Sequence, residues 1–192
     1  MEFAPGTKFE YSNTNHLLAG MLVQAVSGES FASFMRKHIF ELVRLNQTRY
    51  LRTSVPQGSD ASRGYEVDKG RFVVLPPFTM SWAAGAGAVA SDVRDLIAWD
   101  NAFFGGRIIN TTLVQIATTP SRVENDYAFG WAVDHVKGQR MVWHNGGLPG
   151  VHAMNAVFPQ SGWQIVVLTN IYTANPEGIA KEFIGILSPR TR

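Results

Sequence analysis

Two short segments of the 192-residue chain carry side chains suited to chemistry. Tyr11-Ser12-Asn13 stands just before a helix-forming run. His144-Asn145-Gly146-Gly147 ends a strand-forming run and leads to Pro149-Gly150. A phenol and an imidazole can both move protons. A free phenol titrates at about 10, so Tyr11 can act as a base at neutral pH only beside a cation. An imidazole titrates at about 6.5, so His144 can be neutral at pH 7. Each segment also has a plainer reading. Tyr-Ser-Asn can be a helix cap over a half-buried ring. Asn-Gly and Gly-Gly are turn dipeptides.

The elements that must position these segments follow from the hydrophobic period. Asn13 or Thr14 is the expected cap of a helix running to about Val26, with Leu17, Leu18, Met21, Leu22 and Ala25 on one face and Gly28 ending it. Ser30 caps a second helix with Phe31, Phe34, Met35 and Ile39 inward. Residues 48–70 read as irregular and polar, and 71–75 as a short strand stopped by Pro76-Pro77. Ser91-Asp92 opens a third helix that buries Val93, Leu96, Ile97 and Phe103 and closes at Gly105-Gly106. Residues 110–118 read as a fourth. After Pro120 the period becomes two. Strands are expected at 129–136 and 140–144 around Lys137-Gly138, and at 151–158 and 163–170 around 159–162. Such short connections make an antiparallel meander. Asn175-Pro176-Glu177 combines a cap, a first-turn Pro and an acid, and starts a last helix with Ile179, Phe183, Ile186 and Leu187 apolar. The fold class is α+β. Residues 1–120 form a helical and loop region carrying Tyr11 to Asn13. Residues 121–192 form an antiparallel sheet with the His-Asn-Gly segment and a C-terminal helix packed on it.

Composition narrows the function. Hydrophobic residues are 45% and charged residues 17%, which excludes global disorder. A net charge of +2 gives no basic patch, so no nucleic-acid partner is expected. No apolar run approaches the roughly 20 residues of a membrane span, and the N-terminus has no signal-peptide pattern. Without Cys there is no disulfide, thiolate zinc site or Cys nucleophile. His16, His38, His135, His144 and His152 form no i, i+4 pair and no H-E-x-x-H, so no metal is expected. Gly85-Ala86-Gly87 lacks the Lys-Ser/Thr of a phosphate loop, and no cofactor is expected. Phe3, Phe9, Tyr65, Trp82 and Tyr127 are aromatic candidates to line a cleft, Trp82 as a substrate contact; ordinary core is the alternative.

Taken together and in order, the segments resemble the serine β-lactamase family of class C type, with its D-alanyl-D-alanine carboxypeptidases and family VIII esterases. The resemblance covers nearly the whole chain. Pro5-Gly6-Thr7 with Tyr11-Ser12-Asn13 is similar to P-G-T…Y-S-N. Ala84-Gly85-Ala86-Gly87 with Ser91-Asp92 is similar to A-G-G…S-x-x-D. Tyr127-Ala128-Phe129-Gly130-Trp131 resembles Y-G-x-G-W. His144-Asn145-Gly146-Gly147 resembles the H-x-G form of the lysine-threonine-glycine strand, and Val166 to Asn170 the strand that follows.

The resemblance implies a partial β-lactamase/transpeptidase-like fold and acyl-transfer chemistry. Tyr11 belongs to the base system, and Asn13 holds the family Lys and a substrate carbonyl. The backbone N–H of Gly147 is half of an oxyanion hole, and Asn145 and Gly146 are substrate contacts. His144 stands where other members have Lys. This weakens recognition of a carboxylate and favours esters or peptides over penicillins. The family nucleophile lies in Ser-x-x-Lys ahead of Y-x-N. Here the residues three before Lys8, Lys37, Lys69, Lys137 and Lys181 are Pro5, Phe34, Glu66, Asp134 and Gly178. Ser33-Phe34-Met35-Arg36 comes nearest, but an always-protonated Arg is no base. Glu41-Leu42-Val43-Arg44-Leu45 replaces the family's Glu-Pro-Leu-Gly-Met and loses its Pro and Gly.

These features give the expectation of a C-terminal part of a longer hydrolase of β-lactams, esters or D-amino-acid peptides, inert alone. A full-length version would be periplasmic or secreted. Uncovered sheet surface would drive a homo-oligomer or domain swap. The alternatives are a non-catalytic module binding peptidoglycan-like or ester ligands, and an enzyme half completed by another chain.

Overall fold

The computed structural model describes residues 2–51, 61–80, 82–121, 123 and 126–187. Its helices come first: α1 (Asn13–Ser27) and α2 (Phe31–Met35), which continues as a single π-helical turn (Arg36–Phe40). Short strands follow, β1 (Arg49–Tyr50), β2 (Tyr65–Asp68), β3 (Arg71–Val74) and β4 (Val89–Ala90), with a 3₁₀ turn at Ala84–Ala86. Next come α3 (Val93–Phe104) and α4 (Thr111–Ala117). The chain then forms β5 (Ala132–Val136), β6 (Gln139–Leu148), β7 (Val151–Phe158) and β8 (Trp163–Thr169), and ends in α5 (Pro176–Leu187). Strands β5 to β8 make one antiparallel sheet in sequence order, the expected meander. A pair of left-handed residues, Lys137 and Gly138, closes the β5–β6 hairpin, the geometry that a two-residue loop demands.

The sheet is covered on two sides. Met154, Ala156 and Phe158 alternate along β7 and pack with Met141, Ile165 and the α5 residues Ala180 and Ile184. Asn155, between them, points the other way and donates from Nδ2 to Asp100 Oδ1 on α3 at 2.8 Å. A separate cluster of Phe40, Val43, Leu45 and Ala102 ties the π-turn to α3. Among the described residues no single helix is long and apolar enough to cross a membrane.

Several local expectations are corrected. The cap of α1 is Ser12, not Asn13 or Thr14: its backbone is extended and its hydroxyl accepts from the Thr14 N–H. The apolar face proposed for α1 is mostly uncovered. Leu22 is 63% and Val26 80% exposed, because α1 docks instead through Gly20 against the Ala84–Ala86 turn. Residues 48–70, read as irregular, hold β1 and β2; residues 52–60 lie outside the described residues. Strand β6 runs through His144 to Leu148 where a turn was expected, and the turn falls at Pro149-Gly150. On α3, Phe103 is buried as expected but Val93 and Ile97 are exposed; the buried side carries Asp95, Asp100 and Ala102. On α5, Ala180 and Ile184 face the sheet, since small Ala180 permits close approach, and Ile179, Phe183 and Ile186 face out. The Leu187 side chain lies outside the described residues.

Candidate active site

Strand β5 ends with Ala132 opposite Trp143. From His144 to Leu148, β6 pairs with β7 but has no β5 partner, so among the described residues one edge of the strand is unpaired there. Asn145, Gly146 and Gly147 are exposed along it. Period-two alternation sends His144 to the α3 side of the sheet and Asn145 to the α5 side. The helix start brings Tyr11 and Asn13 to the His144 side. With Ser12 as cap, Asn13 is the first helical residue, and its side-chain Oδ1 accepts from the Tyr11 hydroxyl at 3.1 Å. The Tyr11 ring lies 6.0 Å from the His144 ring and 5.7 Å, edge-on, from Tyr127.

Hydrogen bonds hold both nitrogens of the His144 ring. Its Nδ1 lies 2.5 Å from the Asn145 backbone carbonyl, which only accepts, so Nδ1 carries a hydrogen. Its Nε2 lies 2.9 Å from the Tyr127 hydroxyl. Burial, and then the neighbouring Tyr11, push the Tyr127 phenol up to about 12, so it keeps its proton and bridges to the His144 ring as a hydroxyl. His16, whose ring is 5.6 Å from that of Tyr11, is lowered, first by burial and then by His144. Tyr11, His16, Tyr127 and His144 thus form one ring cluster at the start of α1.

Behind the strand a second set converges. Asn145 Nδ2 donates to Glu177 Oε1 at 2.5 Å, and His152 Nε2 lies 3.3 Å from the same oxygen. The His152 ring stacks on Tyr172 at 5.7 Å, and a Cβ on Gly147 would meet the Tyr172 ring at 2.6 Å. A side chain at Gly147 would have to displace the exposed Tyr172 ring. In the sequence, Glu177 is legible only as a first-turn acid, and Tyr172 carries no pattern at all. The register that pairs Gly147 with His152 would have exposed the set.

A cavity of about 830 Å³ lies beside the strand, lined by His144, Asn145, Gly146, His152, Met80 and Phe78, among others. Trp82, 57% exposed, does not line it, and neither do Tyr11, Asn13 and Gly147, which lie outside its lining. Tyr11, Asn13, His144 and the exposed edge at Asn145 to Gly147 are thus brought to one region, with Gly147 three residues along β6 from the ring that Tyr11 approaches. The described residues hold no group of three or more His, Cys, Asp or Glu arranged for a metal.

An antiparallel sheet between α3 and α5, with a Tyr-x-Asn helix start set against a His-x-Gly strand, defines a β-lactamase/transpeptidase-type fold. The chain belongs to the beta-lactamase family, which matches residues 1–184. It is 31% identical over 185 residues to Penicillin-binding protein 4* of Bacillus subtilis, spanning 88% of this chain and 41% of that protein. Among solved structures it superposes on a D-stereospecific amidohydrolase from Streptomyces sp. with a TM-score of 0.84 and 26% identity, covering 96% of this chain and 57% of the other. An octameric penicillin-binding protein homologue from Pyrococcus abyssi gives 0.83 at 25% identity, over 96% and 44%. The chain therefore spans less than two thirds of these relatives.

Proposed function

We propose that this chain is the C-terminal part of a penicillin-recognising-type serine hydrolase, one wall of an acyl-transfer cleft. The observation that carries the reading is the convergence of Tyr11 and Asn13 on His144 at the free edge of β6, beside the cavity. In this reading Tyr11 belongs to the proton-transfer system, Asn13 orients it, and the Gly147 N–H stabilises the oxyanion. His144 stands where the family has Lys, and an imidazole is a weaker cation than an ammonium at pH 7, which favours esters or amides of D-amino acids over carboxylate-bearing penicillins. The likeness to a D-stereospecific amidohydrolase supports the same substrate class.

The 192 residues contain no Ser-x-x-Lys, and a serine enzyme without nucleophile and base loses on the order of 10⁶ in rate. Pure, mass-verified chain is expected to leave nitrocefin, p-nitrophenyl esters and D-amino-acid p-nitroanilides unhydrolysed above buffer. Measurable turnover that follows the protein through purification would overturn the proposal of inactivity.

A second reading, an enzyme half completed by another chain, is favoured by the open cavity and by the uncovered apolar face of α1. The coding sequence upstream of Met1 separates the two. An in-frame Ser-x-x-Lys supports the first and a neighbouring separate frame the second. Neither leaves a non-catalytic module. The same uncovered surface supports a homo-oligomer or domain swap, the octameric relative being a precedent within the fold.

A further inference from the structure

We propose that Glu177 is a positioning residue for the Gly147 ledge, acting from the face of the sheet opposite Tyr11. Its carboxylate stands in the first turn of α5, where backbone N–H groups favour an anion. It accepts from Asn145 on β6 and contacts His152 on β7 through one oxygen, Oε1. His152 Nδ1 lies 2.9 Å from the Ala174 carbonyl. The Ala174 carbonyl only accepts, so Nδ1 carries a hydrogen, and the ring is held between that carbonyl and the Glu177 carboxylate. The ring thus held stacks on Tyr172, whose Cε2 and Cδ2 stand where a side chain on Gly147 would point. The carboxylate therefore reaches the ledge by two routes: along β6 through Asn145, and across the sheet through His152 and Tyr172.

The charge balance supports this. Burial raises the Glu177 carboxyl, but the Asn145 amide, its own backbone N–H and His152 outweigh that, and the group titrates below its ordinary range. The groups facing it are Asn145 from β6 and His152 from β7; Lys181 lies one turn along α5 and is exposed. A lowered carboxyl contributes stability that is present above its unfolded titration and lost as pH falls through the folded one. The buttress is therefore set at neutral pH and released in acid.

The geometry is testable without catalysis, so it stands or falls separately from the hydrolase reading, which supplies only what the ledge is for. In the 15N,13C-labelled chain, the Glu177 carboxyl carbon, the Asn145 side-chain amide and the Gly147 backbone amide are followed as pH falls from 7, with the indole signals of Trp143 and Trp163 reporting an intact fold. The expected result is a common midpoint for all three. Glu177→Gln, which keeps an acceptor and removes the charge, abolishes the movement at Gly147 and leaves the Tyr127 and His144 signals in place. Should that variant not fold, Asn145→Ser combined with His152→Gln cuts both routes and gives the same loss. A Gly147 amide that stays flat through the Glu177 titration of the unmodified chain overturns the proposal.

Discussion

Asp100 has no exposed surface, and its Oδ2 has no hydrogen-bond partner; Oδ1 of Asn155, beside it, also lacks one. Both orphans are acceptors, and a proton on Oδ2 supplies the missing donor. Burial accordingly raises the Asp100 carboxyl to about 7, against the opposing pull of the Asn155 amide. The sign follows from linkage. A folded-state value above the unfolded one contributes stability that is complete below about pH 4 and lost as pH rises to about 7. The loss is on the order of 4 kcal/mol. Asp100→Asn replaces the protonated acid by a neutral donor and acceptor. Urea unfolding between pH 4 and 8 is expected to show a falling stability for the unmodified chain relative to the variant, and parallel pH profiles would refute the argument. His144 sits between a hydroxyl and a carbonyl, while His152, a few residues on, sits between a carbonyl and a carboxylate. Residue type alone does not separate these two histidines.

At the scale of elements, α1 delivers Tyr11 and Asn13, and what fixes α1 is a glycine contact. A Cβ on Gly85 would lie 2.4 Å from the His16 carbonyl oxygen, and Gly20 lies against Gly85 from the helix side. Both clashing partners are backbone, so neither can rotate away. Gly85→Ala is expected to cost about 1–3 kcal/mol and to displace the start of α1. Thermal unfolding reads the first effect. Loss of ring contacts between Tyr11 and Tyr127 in NOE spectra reads the second, and a variant unchanged in both would refute the contact's role. The segment from Glu41 to Leu45 keeps its turn without the family's glycine: Arg44 adopts φ 60° while Val43 and Leu45 stay buried. Burial of the two flanking side chains holds a backbone conformation that an arginine alone disfavours.

Across the described residues, apolar surface remains uncovered on α1 and α5, and also on the β2–β3 hairpin, where Phe72 is 74% exposed. On α1, Leu18, Met21, Leu22 and Val26 face out; on α5, Ile179, Phe183 and Ile186 do, Ile186 at 77% exposure. With the free edge of β6, these surfaces favour association through burial and strand pairing. Light scattering is expected to give at least twice the 21.2 kDa chain mass, falling to the monomer in Leu22→Lys with Val26→Glu. A monodisperse monomer of the unmodified chain would count against a homo-oligomer.

The sequence by itself determined the α+β order, the four-strand meander, the caps at Ser30 and Asn175, and the segments at Tyr11 and His144. All of these rest on local period, turn chemistry and short motifs that a few consecutive residues encode. It misassigned the buried faces of α1 and α5, because an apolar stripe says that a helix has something to bury but not what stands there to cover it. The end of β6 was hidden for a related reason: Asn-Gly and Gly-Gly are turn-formers in isolation, and pairing with β7 holds them extended. Only the tertiary structure decided that Tyr127 meets His144, that Asp100 is buried against Asn155, and that Glu177 joins Asn145 to His152. Those contacts join residues 17, 55 and 32 positions apart for the pairs bonded directly, and such separations leave no periodic trace in the chain.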